Sequence, residues 1–279
     1  MISSIRPSIM NKPFLKETTR PGAGAAGTVV VVPTYNEAET LPFLLPRLAK
    51  AVPDAHLLLV DDGSPDGTAA IAEDLFKTDA RYANYSVLRR TGARGLGIAY
   101  RDGFGRALEA GYERIIQMDA DLSHDPDDLP AMLAAAERAD LVIGSRYCKG
   151  GTMRGWARRR VLLSHFAGWY VRRILGLPFA DPTAGFRCWT RQGLERVKVA
   201  TLTSEGYAFQ VEMALRAVQA GLAVVEVPIT FSDRTQGKSK MSRAVLLESM
   251  VLPWKLRFSR GLETPAAASG RAELAPAEQ

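Results

Sequence analysis

The chain has 279 residues, 47% of them hydrophobic and 24% charged, with a formal net charge of +6 and a pI of about 9.4. This length suffices for one large domain with a core or for two small ones. Cys148 and Cys188 are the two cysteines and form no CxxC motif, which excludes a disulfide framework and a cysteine-type zinc site. The start lacks a continuous apolar stretch and no run of about 18 apolar residues occurs, so we expect neither a signal peptide nor a membrane-spanning helix.

The positive charge is concentrated between Arg146 and Arg196. This stretch holds eleven lysines and arginines against two acids, Asp181 and Glu195, so its net charge is +9 and the remainder of the chain is slightly acidic. A basic surface of this kind suits nucleic acid, anionic lipid or phosphorylated substrates.

Strands and helices are predicted to alternate through the first half of the chain. Short β-branched or apolar runs are typical of buried strands, and segments with helical spacing follow them. The alternation predicts an α/β domain with a mostly parallel sheet, in which ligands bind at the carboxyl ends of the strands. The predicted strands are 28–32, 56–60, 85–89, 114–119 and 140–145, and the predicted helices are 37–52 (limited by Pro46), 68–77, the second half of 95–111, and 126–139.

The second half of the chain is less regular. Residues 157–176 and 243–258 show the spacing of amphipathic helices, and residues 222–231 are typical of a strand. Each helix either lies on a membrane surface or packs as an ordinary core-facing helix with a solvated polar face. The spacing of the first helix predicts one apolar face formed by Leu163, Phe166, Ala167, Tyr170 and Ile174.

Three acids, Asp119, Asp121 and Asp125, lie in the segment QMDADLSHDP at the end of a predicted strand. Oxygen ligands of this type suit Mg²⁺ or Mn²⁺, which bind through one or two carboxylates together with substrate phosphates. Asp125 is better explained as the cap of the helix that begins near Pro126. Because a cap does not explain both Asp119 and Asp121, the sequence predicts a cation site at these two residues.

Two further loops follow predicted strands directly. Asp61 and Asp62 come directly after the second strand, where a carboxylate can accept hydrogen bonds from a nucleobase N–H. Turn chemistry explains the glycines and the proline that follow, but not the two acids. Tyr35 and Glu37 either lie beside a base or belong to a helix N-terminus capped by Asn36.

The glycine-rich segment 91–99 is not a dinucleotide-binding fingerprint, because its glycine spacing differs and it does not follow the first strand. Basic groups elsewhere either bind phosphates or form a solvated surface. They are Arg146, the three arginines 158–160, Arg187 and the segment 234–240.

Eight motifs lie in order between about Val29 and Met241. They are VVVVPTYNEAE, LLLVDDGSPDGT, RRTGARGLGIAYRDGF, QMDADLSHDP, GSRYCKGG, DPTAGFRCW, EGYAFQVEM and EVPITFSDRTQGKSKM. This ordered set resembles the polyprenol-phosphate (dolichol-phosphate) mannosyltransferases, which are inverting glycosyltransferases of the GT-A fold. The resemblance implies a Rossmann-like α/β fold, with a mostly parallel sheet flanked by helices and with C-terminal amphipathic helices.

The resemblance and the composition divide the chain into four parts. We expect a flexible N-terminal tail at 1–27, a GT-A domain at 28–241, an amphipathic helical segment at 242–261 and a disordered tail at 262–279. Many relatives carry C-terminal membrane helices that this chain lacks. The resemblance therefore implies a peripheral enzyme at the cytoplasmic face of a membrane, held there by amphipathic helices or by a membrane-anchoring partner protein.

The resemblance also implies roles for individual residues. The donor nucleotide is expected at Pro33, Tyr35, Glu37, Val60, Asp62, Asp119, Ala120 and Asp121. The metal, Mg²⁺ or Mn²⁺, is expected at Asp119, Asp121 and Ser123, where some relatives have Gln in place of Ser123. Phosphate groups are expected at Arg146, Arg160, Arg234 and Lys240, and the catalytic residues would be Asp121, Arg146 and Arg234.

The implied reaction is transfer of mannose from GDP-mannose to a polyprenyl monophosphate, giving a β-linked product and GDP by metal-assisted in-line displacement. Because the acceptor phosphate is already anionic at pH 7, the reaction needs no general base. One alternative is a related enzyme that uses another nucleotide sugar such as UDP-glucose. A basic nucleic-acid-binding protein is a second alternative, which the acidic strand-end loops disfavour because they would repel a phosphodiester backbone.

Overall fold

A seven-stranded sheet forms the centre of the computed structural model, which describes residues 27–202, 204–233 and 243–258. The strands of this sheet are β1 (Thr28–Thr34), β2 (His56–Asp61), β3 (Tyr85–Arg89), β4 (Arg114–Gln117), β5 (Leu141–Ser145), β7 (Arg187–Thr190) and β8 (Val224–Pro228). Two short strands, β6 (Thr152–Arg154) and β9 (Thr230–Ser232), pair with each other in a separate sheet. The order across the large sheet is β3-β2-β1-β4-β7-β5-β8, and β7 is antiparallel to both of its neighbours.

Helices cover both faces of the large sheet, as expected for an α/β fold. They are α1 (Leu41–Ala51), α2 (Thr68–Thr78), α3 (Leu96–Glu109), α4 (Leu129–Ala135), α5 (Arg158–Leu175), α6 (Arg191–Val197), α7 (Gly206–Gln219) and α8 (Arg243–Phe258). The helices α1, α2 and α4 contribute to one hydrophobic cluster, and α3 and α5 to α8 contribute to the other.

Strand β1 shows why the sheet is buried on both faces. Successive strand side chains point to opposite sides, so Val29 and Val31 join one core cluster while Val30 and Val32 join the other. Parallel sheets with helices on both sides consist of continuous apolar runs rather than alternating ones. The predicted α/β class with a mostly parallel sheet is therefore confirmed.

Two predicted elements differ from the structure. Helix α3 begins at Leu96, whereas the glycines of this segment predicted a helix in its second half. These glycines allow close packing: a Cβ added at Gly103 would lie 2.5 Å from Val31 Cγ1, and one at Gly95 would lie 2.5 Å from Glu205 Oε2. The predicted strand 222–231 is divided into β8 and β9, which belong to different sheets.

The apolar face predicted for α5 is not the face that packs on the core. The buried residues of this helix are Gly168, Val171, Ile174 and Leu175. Ile174 is the member of the predicted apolar face that belongs to this buried set. Leu163 and Phe166 are exposed instead. No helix in the described parts of the chain is long and apolar enough to cross a membrane.

Several sequence-based predictions fall on residues that the structure does not describe. They concern the tails at 1–26 and 262–279, and the phosphate-binding residues Arg234 and Lys240.

Candidate active site

The loops that carry the predicted site residues lie at one edge of the large sheet. Strands β1, β2 and β4 are parallel neighbours, so their carboxyl ends lie side by side. Thr34 at the end of β1 is in register with Asp61 at the end of β2, and its hydroxyl donates to the Asp61 carboxylate at 3.2 Å. The parallel register therefore brings together the three loops predicted to meet there.

The loop after β4 holds Asp119 and Asp121 in fixed orientations. The Tyr100 hydroxyl donates to Asp119 Oδ1 at 2.9 Å. The Ser123 backbone N–H and hydroxyl donate to Asp121 Oδ1 at 3.0 and 2.5 Å. Between these acids and Ser123 the chain turns through Leu122, whose φ of 62° is rare for a residue with a branched apolar side chain. Such strained backbone is concentrated at functional sites.

His124 is packed against the acidic loop and holds its backbone in place. Its ring is buried, stacks on Phe186 with centroids 4.9 Å apart and accepts a hydrogen bond at Nδ1 from the Asp119 backbone N–H at 3.1 Å. Burial lowers the pKa of His124, and this effect is larger than the opposite effect of the nearby carboxylates, which act to raise the pKa. A neutral imidazole that accepts at Nδ1 orients the loop rather than adding a charge to it.

Tyr100 connects α3 to the same loop. It is fully buried, and its pKa lies well above the ordinary value because of burial and, next, the negative charge of Asp119. The phenol therefore remains a hydrogen-bond donor. The charges of Asp119 and Asp121 both act on Tyr100 and on His124, so the two carboxylates converge on one region.

The donor set at this loop fits a hard divalent cation. Two aspartate carboxylates and the Ser123 hydroxyl are oxygen ligands, which Mg²⁺ and Mn²⁺ prefer. Within residues 27–202, 204–233 and 243–258 no group of three or more His, Cys, Asp and Glu side chains is arranged to hold a metal. Mg²⁺ commonly binds through one or two carboxylates together with water and substrate phosphates, so two carboxylates and a hydroxyl are compatible with it.

Arg146, predicted to bind phosphate, forms a buried ion pair with Asp181. Its Nε and Nη2 atoms donate to the two oxygens of the Asp181 carboxylate, each at 2.7 Å, and Nη2 also donates to Thr183 at 2.7 Å. Burial acts to raise the pKa of Asp181, but the charge and hydrogen bonds of Arg146 lower it below the ordinary value. Arg146 is thereby held rigidly at the carboxyl end of β5.

Arg160 lies in the first turn of α5 and faces the same region. Its guanidinium stacks 3.7 Å above the Trp156 ring, and Nη1 donates to Asp233 at 2.8 Å. Arg158 and Arg159 are exposed. Of the three consecutive arginines, Arg160 is therefore the one that faces the site.

Phe231 on β9 joins the acidic loop to the two arginines. Its ring lies 5.4 Å from His124 and 5.7 Å from Trp156, and the Arg146 guanidinium lies 5.3 Å from its centroid. The backbone of β9 also reaches the acidic loop, where the Ser232 N–H donates to the Ser123 carbonyl at 3.1 Å. Sequence reasoning missed Phe231, because nothing in the segment EVPITF distinguishes a site residue from an ordinary strand residue.

The predicted nucleotide-binding loops follow β1 and β2, which lie on one side of β4, whereas β5 and Arg146 lie on the opposite side. Asp61 is buried inside its turn, where the Ser64 N–H and hydroxyl donate to it at 3.0 and 2.5 Å. Asp62 pairs with Arg90 and accepts from the Gly95 N–H at 2.8 Å. A cavity of about 240 Å³ is lined by the end of β2, the start of α2 and the end of β3, including Asp61 and Arg90.

An aromatic and a cationic side chain lie together at the predicted nucleotide-binding loops. The Arg94 guanidinium lies 4.8 Å from the Tyr35 ring centroid and donates to the Tyr35 hydroxyl at 2.6 Å. The Glu37 carboxylate accepts from the Thr40 hydroxyl at 2.9 Å. The alternative role of Asn36 as a helix cap is wrong, because α1 begins at Leu41 and Asn36 has a positive φ of 60°.

Pro33, Val60 and Ala120 occupy less accessible positions. Pro33 is half-buried near the end of β1. Val60 and Ala120 are buried, so any contact they make with a nucleotide would go through backbone atoms.

Arg187 is not part of a phosphate-binding surface. It lies fully buried on β7, and its Nη2 donates to the Pro182 carbonyl at 3.0 Å. Burial lowers its pKa to about 10. The prediction that Arg187 binds phosphate or is solvated is therefore wrong, and the residue belongs to the core beneath the site.

Residues 29–201 match the family described as glycosyl transferase family 2. The chain is 46% identical over 233 residues to a polyprenol monophosphomannose synthase of Mycolicibacterium smegmatis, covering 82% of this chain and 87% of that protein. It is 45% identical over 223 residues to an undecaprenyl-phosphate mannosyltransferase of Micrococcus luteus, covering 80% and 90% of the two chains.

Two solved structures share the fold. A glucosyl-3-phosphoglycerate synthase of Mycobacterium tuberculosis, in complex with Mn²⁺ and UDP-glucose, has a TM-score of 0.59 and 18% identity and covers 84% of each chain. A mannosyltransferase of Pyrobaculum calidifontis, in complex with GDP-Man and Mn²⁺, has a TM-score of 0.53 and 19% identity, covering 76% of this chain and 58% of that one. At these identities the likeness shows the fold, which is GT-A, as the sequence motifs predicted.

Proposed function

The chain belongs to glycosyl transferase family 2, and on that premise we propose that it transfers mannose from GDP-mannose to a polyprenyl monophosphate. Both relatives described above are named for transfer of mannose to a polyprenol-type phosphate, and they align over most of this chain. The donor GDP-mannose is implied by the resemblance of the sequence motifs, the GKSKM ending favours mannose, and a GT-A mannosyltransferase structure contains GDP-Man.

One structural observation carries the proposal. The acidic loop after β4 lies next to two arginines, with Phe231 between His124 on one side and Arg146 on the other. A site that places paired carboxylates beside guanidinium groups suits a reaction with a phosphate on each side of the transferred sugar. The diphosphate is the leaving group, and the lipid phosphate is the nucleophile.

On the donor side, the carboxylates of Asp119 and Asp121 would hold Mg²⁺ or Mn²⁺, with Ser123 orienting Asp121 through its hydroxyl and N–H. A cation held by these residues would supply positive charge to stabilise the departing diphosphate. The base would bind near the cavity beside Asp61, and Tyr35 and Asp62 would provide further contacts from the adjoining loops. Tyr100 keeps Asp119 directed into the site through its 2.9 Å hydrogen bond.

On the acceptor side, the lipid phosphate is anionic at pH 7 and attacks the anomeric carbon without a general base. The residues of the chain contribute positioning and charge. Arg146, fixed by Asp181, and Arg160, supported on Trp156, would hold this phosphate in line with the leaving group. In-line displacement inverts the configuration at the anomeric carbon and yields β-linked polyprenyl phosphomannose and GDP. The proposal extends to Arg234 and Lys240, outside the described residues.

Because the acceptor is a membrane lipid, we place the enzyme at the cytoplasmic face of a membrane as a peripheral protein. The amphipathic helices of the chain or a membrane-anchoring partner protein would hold it there.

The decisive experiment is an incubation of the purified chain with a panel of nucleotide sugars, a short polyprenyl phosphate and Mn²⁺ or Mg²⁺. The lipid product is then identified by mass. We expect a hexosyl lipid with GDP-mannose. A product formed with UDP-glucose but not with GDP-mannose would contradict the donor and favour the alternative glycosyltransferase. A hexosyl lipid that forms equally well in excess EDTA would contradict the metal requirement.

Arg234 offers a separate test of the acceptor side. Arg234→Ala should depress turnover far more than GDP binding, measured by steady-state kinetics and calorimetry. If GDP affinity alone falls, the residue belongs to the donor site.

Thermal shift distinguishes the nucleic-acid alternative, because GDP with Mn²⁺ should raise the melting temperature and duplex DNA or RNA should not.

A further inference from the structure

Helix α5 is apolar on two opposite faces. Gly168, Val171 and Leu175 point into the core, at the spacing of one helical face. Leu162, Phe166 and Trp169 also recur at helical spacing, but they point outward and are 70%, 54% and 57% exposed. An ordinary core-facing helix has a polar outer face, so the outer apolar stripe is not explained by folding.

Helix α8 continues the same surface. Its Leu252 and Leu256 are buried, whereas Met250, Trp254 and Phe258 are exposed. The Trp254 indole N–H donates to the Tyr170 hydroxyl at 2.9 Å, and that hydroxyl donates to the Met250 carbonyl at 2.9 Å. Tyr170 thereby joins the outer stripes of the two helices into one continuous face.

The outer faces of α5 and α8, together called the docking face below, contain most of the large exposed apolar side chains of the described residues. Eight of their eleven exposed large hydrophobic side chains lie on these two helices, and the other three are scattered over α1, α2 and α3. Contiguous exposed patches mark interaction or membrane sites, whereas scattered residues need no explanation. The eight are Leu162, Leu163, Phe166, Trp169, Met250, Val251, Trp254 and Phe258.

Cations border the docking face at both ends of α5. Arg158 and Arg159 are exposed before the apolar stripe and Arg173 after it, and α5 contains no acidic residue. Exposed Lys255 and Arg257 add positive charge along α8. This arrangement of tryptophans and arginines around an apolar centre is typical of helices that lie in the headgroup region of a bilayer.

We infer that the face formed by α5 and α8 docks the enzyme on an anionic lipid bilayer, with the apolar stripes inserted and the arginines on the headgroups. A second copy of the chain is a poorer occupant, because an isologous contact would bring identical arginine-rich borders together. Anionic headgroups neutralise the same charges. This inference deepens the proposed function, on which it rests for the membrane lipid that serves as acceptor.

The docking face also positions the active site. Arg160 in the first turn of α5 faces the site, while Arg158 and Arg159 beside it border the docking face. A helix lying in the bilayer surface would therefore hold its phosphate-facing arginine at the depth of the headgroups. A lipid monophosphate could then reach Arg160 while its chain stays in the membrane.

The test measures sedimentation of the full chain with protein-free vesicles of phosphatidylcholine, with and without phosphatidylglycerol. We expect L162S/F166S/W169S to bind the anionic vesicles at least about 10-fold more weakly than the wild type, since three apolar contacts are lost. The matched control F43S/I71S removes two exposed apolar side chains from α1 and α2, and should bind as the wild type does. The wild type should bind neutral vesicles more weakly than anionic ones.

Two further readouts separate this inference from the proposed function. Transfer of mannose to a short, water-soluble polyprenyl phosphate should be equal in the triple variant and the wild type, which also shows that the variant folds. Transfer to an acceptor in vesicles should fall in the variant. If no mannosyl transfer occurs but vesicle binding depends on the three residues, the proposed function fails and the docking face stands.

Other outcomes would overturn the docking face. One is equal vesicle binding by the triple variant and the control. A second is absence of wild-type binding to any protein-free vesicle, as expected if the face binds an integral membrane protein. A third is a concentration-dependent dimer of the wild type in sedimentation velocity that the triple variant abolishes, without vesicle binding.

Discussion

The acidic loop after β4 and the pair of arginines that face it are built on opposite principles. Asp119 and Asp121 are held by the hydroxyls of Tyr100 and Ser123 and by a backbone N–H. Such donors orient a carboxylate without removing its charge. Arg146 and Arg160 are held by the carboxylates of Asp181 and Asp233, which balance the positive charge.

This difference teaches how the two sides of the site would be used. Asp119 is oriented by the neutral hydroxyl of Tyr100, and a carboxylate oriented by such a group keeps a strong attraction for a cation. An arginine already paired with a carboxylate offers less net charge. A phosphate that binds it either shares the guanidinium or displaces the carboxylate. We expect the buried ion pair of Arg146 with Asp181 to persist when phosphate binds. The half-exposed ion pair of Arg160 with Asp233 is the exchangeable pair, because a phosphate could displace the Asp233 carboxylate.

The largest effect should follow from removing a charge in the acidic loop. Asp121→Ala removes a carboxylate of the proposed cation site, and we expect mannosyl transfer to fall about 1,000-fold or more. Activity is measured by product mass, and folding by circular dichroism. Asp127→Ala is the control, since this acid lies just after the acidic segment and its side chain is exposed. Substantial residual transfer by Asp121→Ala would contradict the metal role and remove one side of the comparison.

Breaking the buried pair should cost stability rather than chemistry alone. Asp181→Asn leaves the Arg146 guanidinium without its counter-ion, and such a loss costs about 3–5 kcal/mol in the free energy of unfolding. Urea denaturation measures it. Because the pKa of Asp181 is lowered in the folded protein, its contribution is present above the unfolded pKa of about 3.9 and is lost as the pH falls through the lower folded value.

The difference in unfolding free energy between the wild type and Asp181→Asn should therefore narrow as the pH falls below about 4. A difference that stays constant, or that widens in acid, would show that Asp181 is not ionised in the folded protein. It would also show that Arg146 is not held by charge.

Removing an orienting hydroxyl tests whether orientation matters apart from charge. Tyr100→Phe removes the hydrogen bond to Asp119 and leaves both carboxylates charged. Loss of an outer partner of a metal ligand typically costs about 10- to 100-fold in metal affinity or activity. The Mn²⁺ concentration for half-maximal activity should rise accordingly. Tyr112→Phe is the matched control, because its buried hydroxyl bonds to His56 at the opposite end of the sheet.

The smallest effect is expected at the exchangeable pair. Asp233→Asn frees Arg160, and stability should change by no more than about 0.5 kcal/mol because the ion pair is half-exposed. The KM for the polyprenyl phosphate should fall a few-fold, while Arg160→Ala should raise it and Arg159→Ala should not. An unchanged KM in both Asp233→Asn and Arg160→Ala would remove Arg160 from the acceptor site.

The sequence predicted the positions that parallel strand order determines. Asp61 and Asp119 directly follow apolar runs, and in a parallel sheet such ends meet at one edge. The cap at Asp125 was also predicted, although the element it caps is the single 3-10 turn Pro126–Asp128 that precedes α4: the Asp125 carboxylate accepts from the Asp127 N–H at 2.9 Å. These features depend on local spacing, which a sequence displays directly.

Features that depend on distant partners were not predictable. Strand β7 has four residues and includes Arg187, so no periodicity marks it as a central strand. The orientation of α5 depends on which of two apolar stripes packs inward, and residues on both stripes recur at helical spacing. The contact of Phe231 with Arg146 joins segments 85 residues apart in the chain, and the sequence contains no mark of it.

The position of β7 between β4 and β5 has a consequence for biosynthesis. As the chain leaves the ribosome, β1 to β4 can pair once residue 117 has emerged, but β5 has no neighbour in the sheet until β7 is made. Until then β4 presents an open edge with Ile115 and Ile116, the kind of edge that recruits other chains. Nascent fragments that end before Arg187 should therefore aggregate, and the enzyme should depend on chaperones during this interval of synthesis.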